Sequence, residues 1–257
     1  MSIALTRAVS PLLGQCELTH LERNPINIIK AEEQHRQYEQ ALEKMGYVIR
    51  RIKETPHLPD GVFVEDTAVV FPELAVITRP GAESRREEAK TMAAVLKEYR
   101  ELKHIKEPGT IDGGDVLILG KNVYIGLTRR SNREGIRQFS EILQPFGYHV
   151  TAVPVNGCLH LKTGIAVLED KLMLINPEWI SPKIFEGFRF KYIADNEPYG
   201  ANVMRKDNFA LCPRVFKETI KLLEKLGYDV ITIDQSELAK AEAGLTCCSV
   251  IVEEKFN

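Results

Sequence analysis

Five polar residues stand at nearly equal intervals along this chain. They are Asp66, Asp112, His160, Asn202 and Cys247, with steps of 46, 48, 42 and 45 residues. A thiol can act as a nucleophile, an imidazole can move protons, and carboxylates can orient either one or hold a cation. Each residue opens a short β-rich run. Equal spacing of this kind points to a repeat architecture that gathers distant positions at one centre.

Two local patterns bear on which side chains are available. Thr246–Val252 is expected to be a strand, in which successive side chains alternate faces. Cys248 then shares a buried face with Val250 and Val252, and Cys247 points with Ser249 to the polar side. The competing reading is that both cysteines lie in the core. By the same alternation, His160 faces with Lys162, opposite Leu159, Leu161 and Ile165. His20, in an expected loop, has no comparable context. The acidic segments Asp60-Gly-Val-Phe-Val-Glu65-Asp66-Thr67 and Asp112-Gly-Gly-Asp115 place carboxylates ahead of apolar runs. Asp and Gly often do no more than cap turns. Several carboxylates buried together nevertheless need compensation, so such a site suits a cationic ligand.

The elements that must position these residues repeat as well. Gly46, Gly147 and Gly227 each follow a helix-like run and precede a strand-like one, at Val48–Ile52, His149–Val155 and Asp229–Ile233. Glycine best tolerates the left-handed residue that ends a helix. Lys103–Ile105 and Phe190–Ile193 are weaker versions. Between these runs lie hairpins. Val64–Val70 pairs with Ala75–Thr78, Val116–Leu119 with Val123–Ile125, Gly164–Leu168 with Leu172–Ile175, and Ala201–Met204 with Phe209–Leu211. Cys247–Val252 finds its partner in Ile3–Thr6. Helices are expected at Glu32–Met45, Arg85–Tyr99, Arg133–Leu143 and Val215–Leu226. The remaining module, around Trp179, has room only for a helical turn near Ile184–Phe185. The predicted fold is a closed five-bladed α/β assembly of strand–strand–helix–strand modules with pseudo-five-fold symmetry. Its N-terminal strand completes the last blade.

Composition sets outer bounds. The chain has 257 residues, and no Gly/Ser-rich or highly charged stretch reads as a linker, so one domain is expected over 1–257. A net charge of −2 argues against a nucleic-acid partner. No apolar run is long enough to span a membrane, and the first fourteen residues lack the apolar core of a signal peptide. Cys16, Cys158, Cys212, Cys247 and Cys248 are odd in number and irregular in spacing. This fits reduced thiols and a cytoplasmic location better than a disulfide framework or structural zinc.

Taken together, Phe63-Val-Glu-Asp66, Ile77-Thr-Arg-Pro-Gly-Ala82, Asp112-Gly-Gly-Asp115, His160-Leu-Lys-Thr-Gly164 and Thr246-Cys-Cys-Ser249 resemble dimethylarginine dimethylaminohydrolases. These belong to the guanidine-modifying superfamily of five-bladed α/β propellers. The resemblance runs in order over essentially the whole chain. It implies that Cys247 is the nucleophile, His160 the general acid and base, and Asp112 the carboxylate behind the histidine, where some relatives carry Glu. It implies that Glu65 and Asp66 hold the guanidinium and that Arg85 and Arg130 clamp the α-carboxylate. Arg86 and Arg129 stand next to these two as alternatives. Asp60 and the carbonyl at Leu18 would meet the amino-acid end of the substrate. Asn202 receives no role. The implied reaction turns methylated arginine into citrulline through a cysteine adduct, without metal or organic cofactor. The rivals are an arginine deiminase, an amidinotransferase and a non-catalytic binding protein. The partner is a small guanidino amino acid, and an exposed blade edge could support a homodimer.

Overall fold

The computed structural model describes residues 2–253, which form five three-stranded sheets. The first sheet is β3 (Ala68–Val70), β4 (Leu74–Ile77) and β5 (Glu101–His104). The second is β6 (Val116–Leu119), β7 (Asn122–Leu127) and β8 (His149–Pro154). The third is β9 (Ile165–Glu169), β10 (Leu172–Ile175) and β11 (Arg189–Tyr192). The fourth is β12 (Met204–Lys206), β13 (Phe209–Pro213) and β14 (Asp229–Ile233). The fifth joins the two ends of the chain, with β1 (Ser2–Thr6) between β15 (Val250–Glu253) and β2 (Tyr47–Arg51). In every sheet the middle strand pairs antiparallel with the first and parallel with the outer one.

A parallel pair needs a crossover, and helices supply it in four blades. They are α1 (Ile28–Lys44), α2 (Glu88–Leu96), α3 (Arg133–Leu143) and α4 (Lys217–Lys225). Asn27 caps α1 by accepting from the Lys30 N–H at 3.0 Å, and Asn132 caps α3 by accepting from the Gly135 N–H at 2.7 Å. The third blade crosses over with a single 3-10 turn, Pro182–Ile184. Gly46, Gly147 and Gly227 have φ of +82°, +75° and +92°, as the turn between helix and outer strand requires.

The core lies between neighbouring blades. Leu74 and Val76 of β4 pack with Val116, Val123 and Phe139 of the second blade, whereas Ala75 and Ile77 turn the other way onto Leu5 and Val252 of the fifth. Leu172 and Leu174 of β10 face the fourth blade, and Met173 and Ile175 face the second. A middle strand is therefore buried on both faces. That is why these strands read as unbroken apolar runs rather than alternating ones.

Several boundaries differ from expectation, mostly at one place. The expected strands beginning at Val64, at Ala201 and at Cys247 all start later. Residues Val64–Thr67, Gly113–Asp115, Leu161–Thr163 and Thr246–Cys248 form 3-10 turns just ahead of β3, β6, β9 and β15, and the chain around Asn202 turns ahead of β12. The turn at Val64–Thr67 packs against those at Gly113–Asp115 and Thr246–Cys248. First strands converge on one axis here, and a turn ends each of them where no pairing partner remains. The helix expected from Arg85 starts at Glu88, and Arg85 ends a separate 3-10 turn, Glu83–Arg85. A short helix, α5 (Ser236–Ala239), lies outside the repeat and packs on α1. Among the described residues no helix is long and apolar enough to cross a membrane.

Candidate active site

The inter-blade turns bring four of the five spaced residues around one small cavity or onto its wall. Cys247, His160 and Asp66 line it, together with Asp60, Arg85, Arg130, Phe63, Leu159, Glu17 and Ala241–Ala243. Asp112 stands directly behind His160, its Oδ2 3.0 Å from the imidazole Nε2. Asp112 is itself held: Gly81 N–H donates to its Oδ1 at 2.8 Å, and the Ser131 hydroxyl accepts from its N–H at 3.1 Å. The glycine pair after Asp112 allows close approach. A Cβ on Gly114 would lie 2.7 Å from His160 Nδ1 and 2.9 Å from Asp66 Oδ1.

Cys247 is half-buried and Cys248 fully buried, as expected, but for a different reason. Both belong to a 3-10 turn, where successive side chains diverge by about 120° rather than alternating across a strand. Cys248 points into the core between the fourth and fifth blades. The Gly244 N–H donates to Cys247 Sγ at 3.3 Å. His160 also departs from strand alternation. It is extended but stands ahead of the turn at Leu161–Thr163, so it is buried over Asp112 while Lys162 leads elsewhere.

Electrostatics divide the labour. Burial pushes the Cys247 thiol well above its ordinary value, and the nearby Glu65 and Asp66 carboxylates push it further. Burial alone would lower His160. Asp66, the Asp112 hydrogen bond and Asp115 outweigh it and raise His160 to about 9. At neutral pH the imidazole is therefore a cation and the thiol is neutral. Burial opposes ionisation of Asp66 too, but His160 and Arg85 hold its carboxyl below the usual carboxylate range. Asp66, Asp112 and His160 offer donor atoms within 4.8 Å of one another, a spacing a metal ion could use. Here Arg85 and the imidazolium supply positive charge beside these carboxylates.

The remaining expected residues fall in distinct places. Arg85 is buried and nearly saturated. Its Nη1 donates to Asp66 at 2.6 Å, its Nη2 to the Phe63 carbonyl and Glu88 at 2.9 Å, and its Nε to Glu88 at 3.2 Å. Arg130 is freer. Its Nη2 donates to Thr19 Oγ1 at 3.2 Å, while its buried Nη1 lies 3.6 Å from Asp112 and has no hydrogen-bond partner among the described residues. The neighbouring Arg86 pairs with Glu83 and the Pro80 carbonyl outside the cavity, and Arg129 is exposed. Asp60 accepts from the Glu17 N–H at 3.1 Å and 3.3 Å. Leu18 follows Glu17 but packs on the core between the fourth and fifth blades rather than on the cavity wall.

Glu65 is turned away from the cavity that Cys247 lines. Lys162 Nζ donates to one of its oxygens at 2.6 Å and Thr246 Oγ1 to the other at 2.8 Å. It closes the end of a second cavity on the axis, about 320 Å³, lined by first-strand residues such as Val69, Val116, Met204 and Val250.

Asn202, which had no expected role, braces the turn that carries Cys247. Its side-chain carbonyl accepts from the Leu245 N–H at 2.6 Å, and its amide donates to the Lys162 carbonyl at 2.8 Å. Asp115 was visible only as the end of a motif. It accepts from Thr128 Oγ1, Ser131 Oγ and the Leu161 N–H, which fixes the turn beside His160.

Comparison with known proteins identifies the family. The arginine deiminase family model matches residues 4–211. The dimethylarginine dimethylaminohydrolase of Pseudomonas aeruginosa is 36% identical over 86% of this chain and 88% of its own. That of Streptomyces coelicolor is 37% identical over 99% and 98%. A solved structure of the Pseudomonas enzyme, a cysteine-to-serine variant with citrulline, superposes with a TM-score of 0.92 at 34% identity, covering 97% of this chain and 98% of that one. The N-terminal domain of a cyanobacterial arginine dihydrolase shares the fold, with a TM-score of 0.86 at 17% identity over 98% of each chain. The chain thus belongs to the arginine deiminase family, among its dimethylarginine dimethylaminohydrolases.

Proposed function

We propose that this protein hydrolyses Nω-methylated arginines to citrulline and methylamine or dimethylamine, with residues 1–257 acting as one domain. The observation that carries this reading is the convergence of Cys247, the His160–Asp112 pair and Asp66 on one cavity.

The chemistry follows from the charges. A guanidinium carbon is a weak electrophile until it is held protonated and positioned. Asp66 takes the guanidinium through charge-assisted hydrogen bonds, with Glu65 adding negative charge from the axial side. The cationic substrate lowers the pKa of the Cys247 thiol, which burial and carboxylates had raised, so the thiol releases its proton to solvent and the thiolate forms once substrate is bound. Its sulfur attacks the guanidinium carbon, and the Gly244 N–H steadies the sulfur before and after the attack. The His160 imidazolium, backed by Asp112, gives its proton to the departing amine as the C–N bond breaks. An S-alkylthiouronium remains on Cys247. His160, now neutral, takes a proton from water as the new C–O bond forms, and the C–S bond then breaks while the added hydroxyl loses its proton to solvent, which releases neutral citrulline and the thiolate. Atoms balance as methylarginine plus water giving citrulline plus amine.

The amino-acid end is held by cations and carbonyls. The unpartnered Nη1 of Arg130 supports a contact to the α-carboxylate, with Arg85 contributing what its ion pairs leave free. Asp60 and the main-chain carbonyl of Leu18 take the α-amino group, while the Leu18 side chain stays on the core. The reduced cysteines support a cytoplasmic setting, the charge balance gives no reason for a nucleic-acid partner, and an outer strand is available for a homodimer.

A citrulline assay with arginine, monomethylarginine and dimethylarginine tests the reading. The methylated substrates are expected to turn over best, and preference for plain arginine would overturn it. Arg130→Ala is expected to raise KM roughly 100-fold with a smaller change in kcat, because a buried charged hydrogen bond is worth about 2–3 kcal/mol.

The resting protonation states give a second expectation. The reactive form of the free enzyme is thiolate plus imidazolium. With His160 at about 9 and the thiol higher still, that form grows about tenfold per pH unit below 9. The pH profile of kcat/KM should therefore climb up to about 9, while kcat levels off earlier because bound substrate has already lowered the thiol. A flat kcat/KM from pH 6 to 8 would show that the free thiol is not the raised group.

A further inference from the structure

One buried carboxylate beside the site has no step in the reaction. Asp115 is completely buried and lies outside the cavity that Cys247 lines. It accepts three hydrogen bonds. Thr128 Oγ1 donates to its Oδ2 at 2.7 Å, Ser131 Oγ donates to the same oxygen at 2.6 Å, and the Leu161 N–H donates to its Oδ1 at 2.9 Å. Strand β7 passes so close that a Cβ on Gly126 would collide with Oδ1, which leaves the carboxylate no room to turn away.

Each donor leads to a residue with a task. Leu161 directly follows His160. The Ser131 hydroxyl oxygen accepts from the Asp112 N–H at 3.1 Å, so a single atom links Asp115 to the partner of the imidazole. Thr128 heads the turn that carries Arg130, and its hydroxyl oxygen accepts from the Arg130 N–H at 3.0 Å and the Ser131 N–H at 3.1 Å. One carboxylate thus reaches the cation for the amino-acid end of the substrate and both members of the proton-transferring pair.

The lone pairs fix the chemical state of Asp115. Both lone pairs of the Thr128 hydroxyl are taken by N–H groups, so it can only donate. The Leu161 N–H can only donate as well, and the Ser131 O–H is spent on the same carboxylate. A proton on either oxygen of Asp115 would therefore meet a donor, and an ionised carboxylate alone satisfies all three. Burial raises its pKa to about 6 against the pull of His160 and these bonds, so it is ionised at neutral pH.

We propose that Asp115 is a positioning residue that locks the turn carrying Arg130 to the His160–Asp112 pair, so that substrate binding and proton transfer share one frame. Its effect on turnover rests on the function proposed above; the frame itself does not.

Separating the limbs kinetically tests this. Thr128→Val removes only the limb to Arg130, and should raise KM for dimethylarginine about tenfold with kcat within about threefold. Ser131→Ala removes the limb to Asp112, and should lower kcat about tenfold with KM within about threefold. Asp115→Asn sets an amide N–H against one of the three donors, and should do both, with kcat down about 100-fold. Thr128→Ser restores the hydroxyl and should return KM to within about twofold of wild type. If Asp115 acted through its charge alone, Thr128→Val and Ser131→Ala, which keep that charge, would change neither constant. If it acted through fold stability alone, the variants would lower Tm with no split between kcat and KM. Either result overturns the proposal. An NMR titration of His160 needs no substrate. Burial lowers this pKa, and Asp66, Asp112 and Asp115 raise it to about 9. Asp115→Asn should bring it down, and an unchanged value also overturns the proposal. A failure of dimethylarginine to turn over in the wild type would count against the proposed reaction and leave the titration standing.

Discussion

Cys247→Ser abolishes citrulline formation, with a fall of roughly four orders of magnitude or more, while Cys248→Ser keeps most of it. A serine hydroxyl offers no comparable anion near neutral pH, and the Gly244 N–H that meets sulfur in this structure cannot make up the difference. Cys248 instead packs in the core between the fourth and fifth blades. Its serine variant buries a hydroxyl there, at a cost of about 1–3 kcal/mol of stability, without touching the reacting atoms. Rapid acid quench of the wild type during turnover should show the thiouronium mass on the Cys247 peptide and none on Cys248. Equal loss of activity in the two serine variants would defeat the assignment, and so would steady turnover with no adduct ever trapped.

The contrast between these adjacent cysteines shows what was legible in the sequence. The five-fold arrangement could be read because middle strands buried on both faces leave unbroken apolar runs, such as Leu74–Ile77 and Leu172–Ile175, at regular intervals. Gly46, Gly147 and Gly227 marked the ends of three helical segments, and all three have positive φ. The catalytic end was less legible because strand periodicity stops there. Cys247 was separated from Cys248 by an alternation that does not exist at that turn, and the two still part, Cys247 to the cavity and Cys248 to the core, because a 3-10 turn also points neighbours apart. Apart from the His160–Asp112 pair, which the family resemblance implied, the charge partners escaped. Nothing in the spacing says that Arg85 is committed to Asp66 and Glu88, that Glu65 turns to Lys162, or that Asn202 brackets the turn at Thr246. Such pairings depend on which groups the fold leaves in need of a partner, and only the packed structure decides that. The Glu242 carboxylate is the extreme case, since the N–H groups it accepts from, at Thr19, His20 and Leu21, lie near the other end of the chain and follow no repeat.

Asp66→Asn should lower both activity and stability, and it should also change how stability depends on pH. Asp66 accepts from Arg85 and from the Gly114 N–H and faces His160 at 3.8 Å, all in buried surroundings. An asparagine of the same shape still accepts from Gly114, but its amide then opposes the Arg85 guanidinium, donor against donor. Removing one partner of a buried pair costs roughly 3–5 kcal/mol. Glu88 remains to neutralise Arg85, which places the expected loss at the lower end. The pH effect follows from two opposite shifts. The Asp66 pKa is depressed in the folded protein, so its contribution is present above the ordinary carboxylate range and disappears as pH falls through the lowered value. The His160 pKa is raised from 6.5 to about 9, so its contribution is complete below 6.5 and disappears as pH rises through 9. The wild type should therefore lose up to about 3 kcal/mol between pH 6.5 and 9 from this histidine. Asp66 is the main group raising the imidazole, so Asp66→Asn brings the pKa back toward 6.5 and flattens that slope. Urea unfolding at several pH values, beside a titration of His160 by NMR, reads both effects. A variant that keeps the wild-type slope would mean that Asp112 and Asp115 hold the imidazolium unaided. The activity loss should exceed what the lowered imidazole explains, because in the proposed reaction the same carboxylate also receives the guanidinium, and raising the pH or restoring the fold with a stabilising background cannot return that contact.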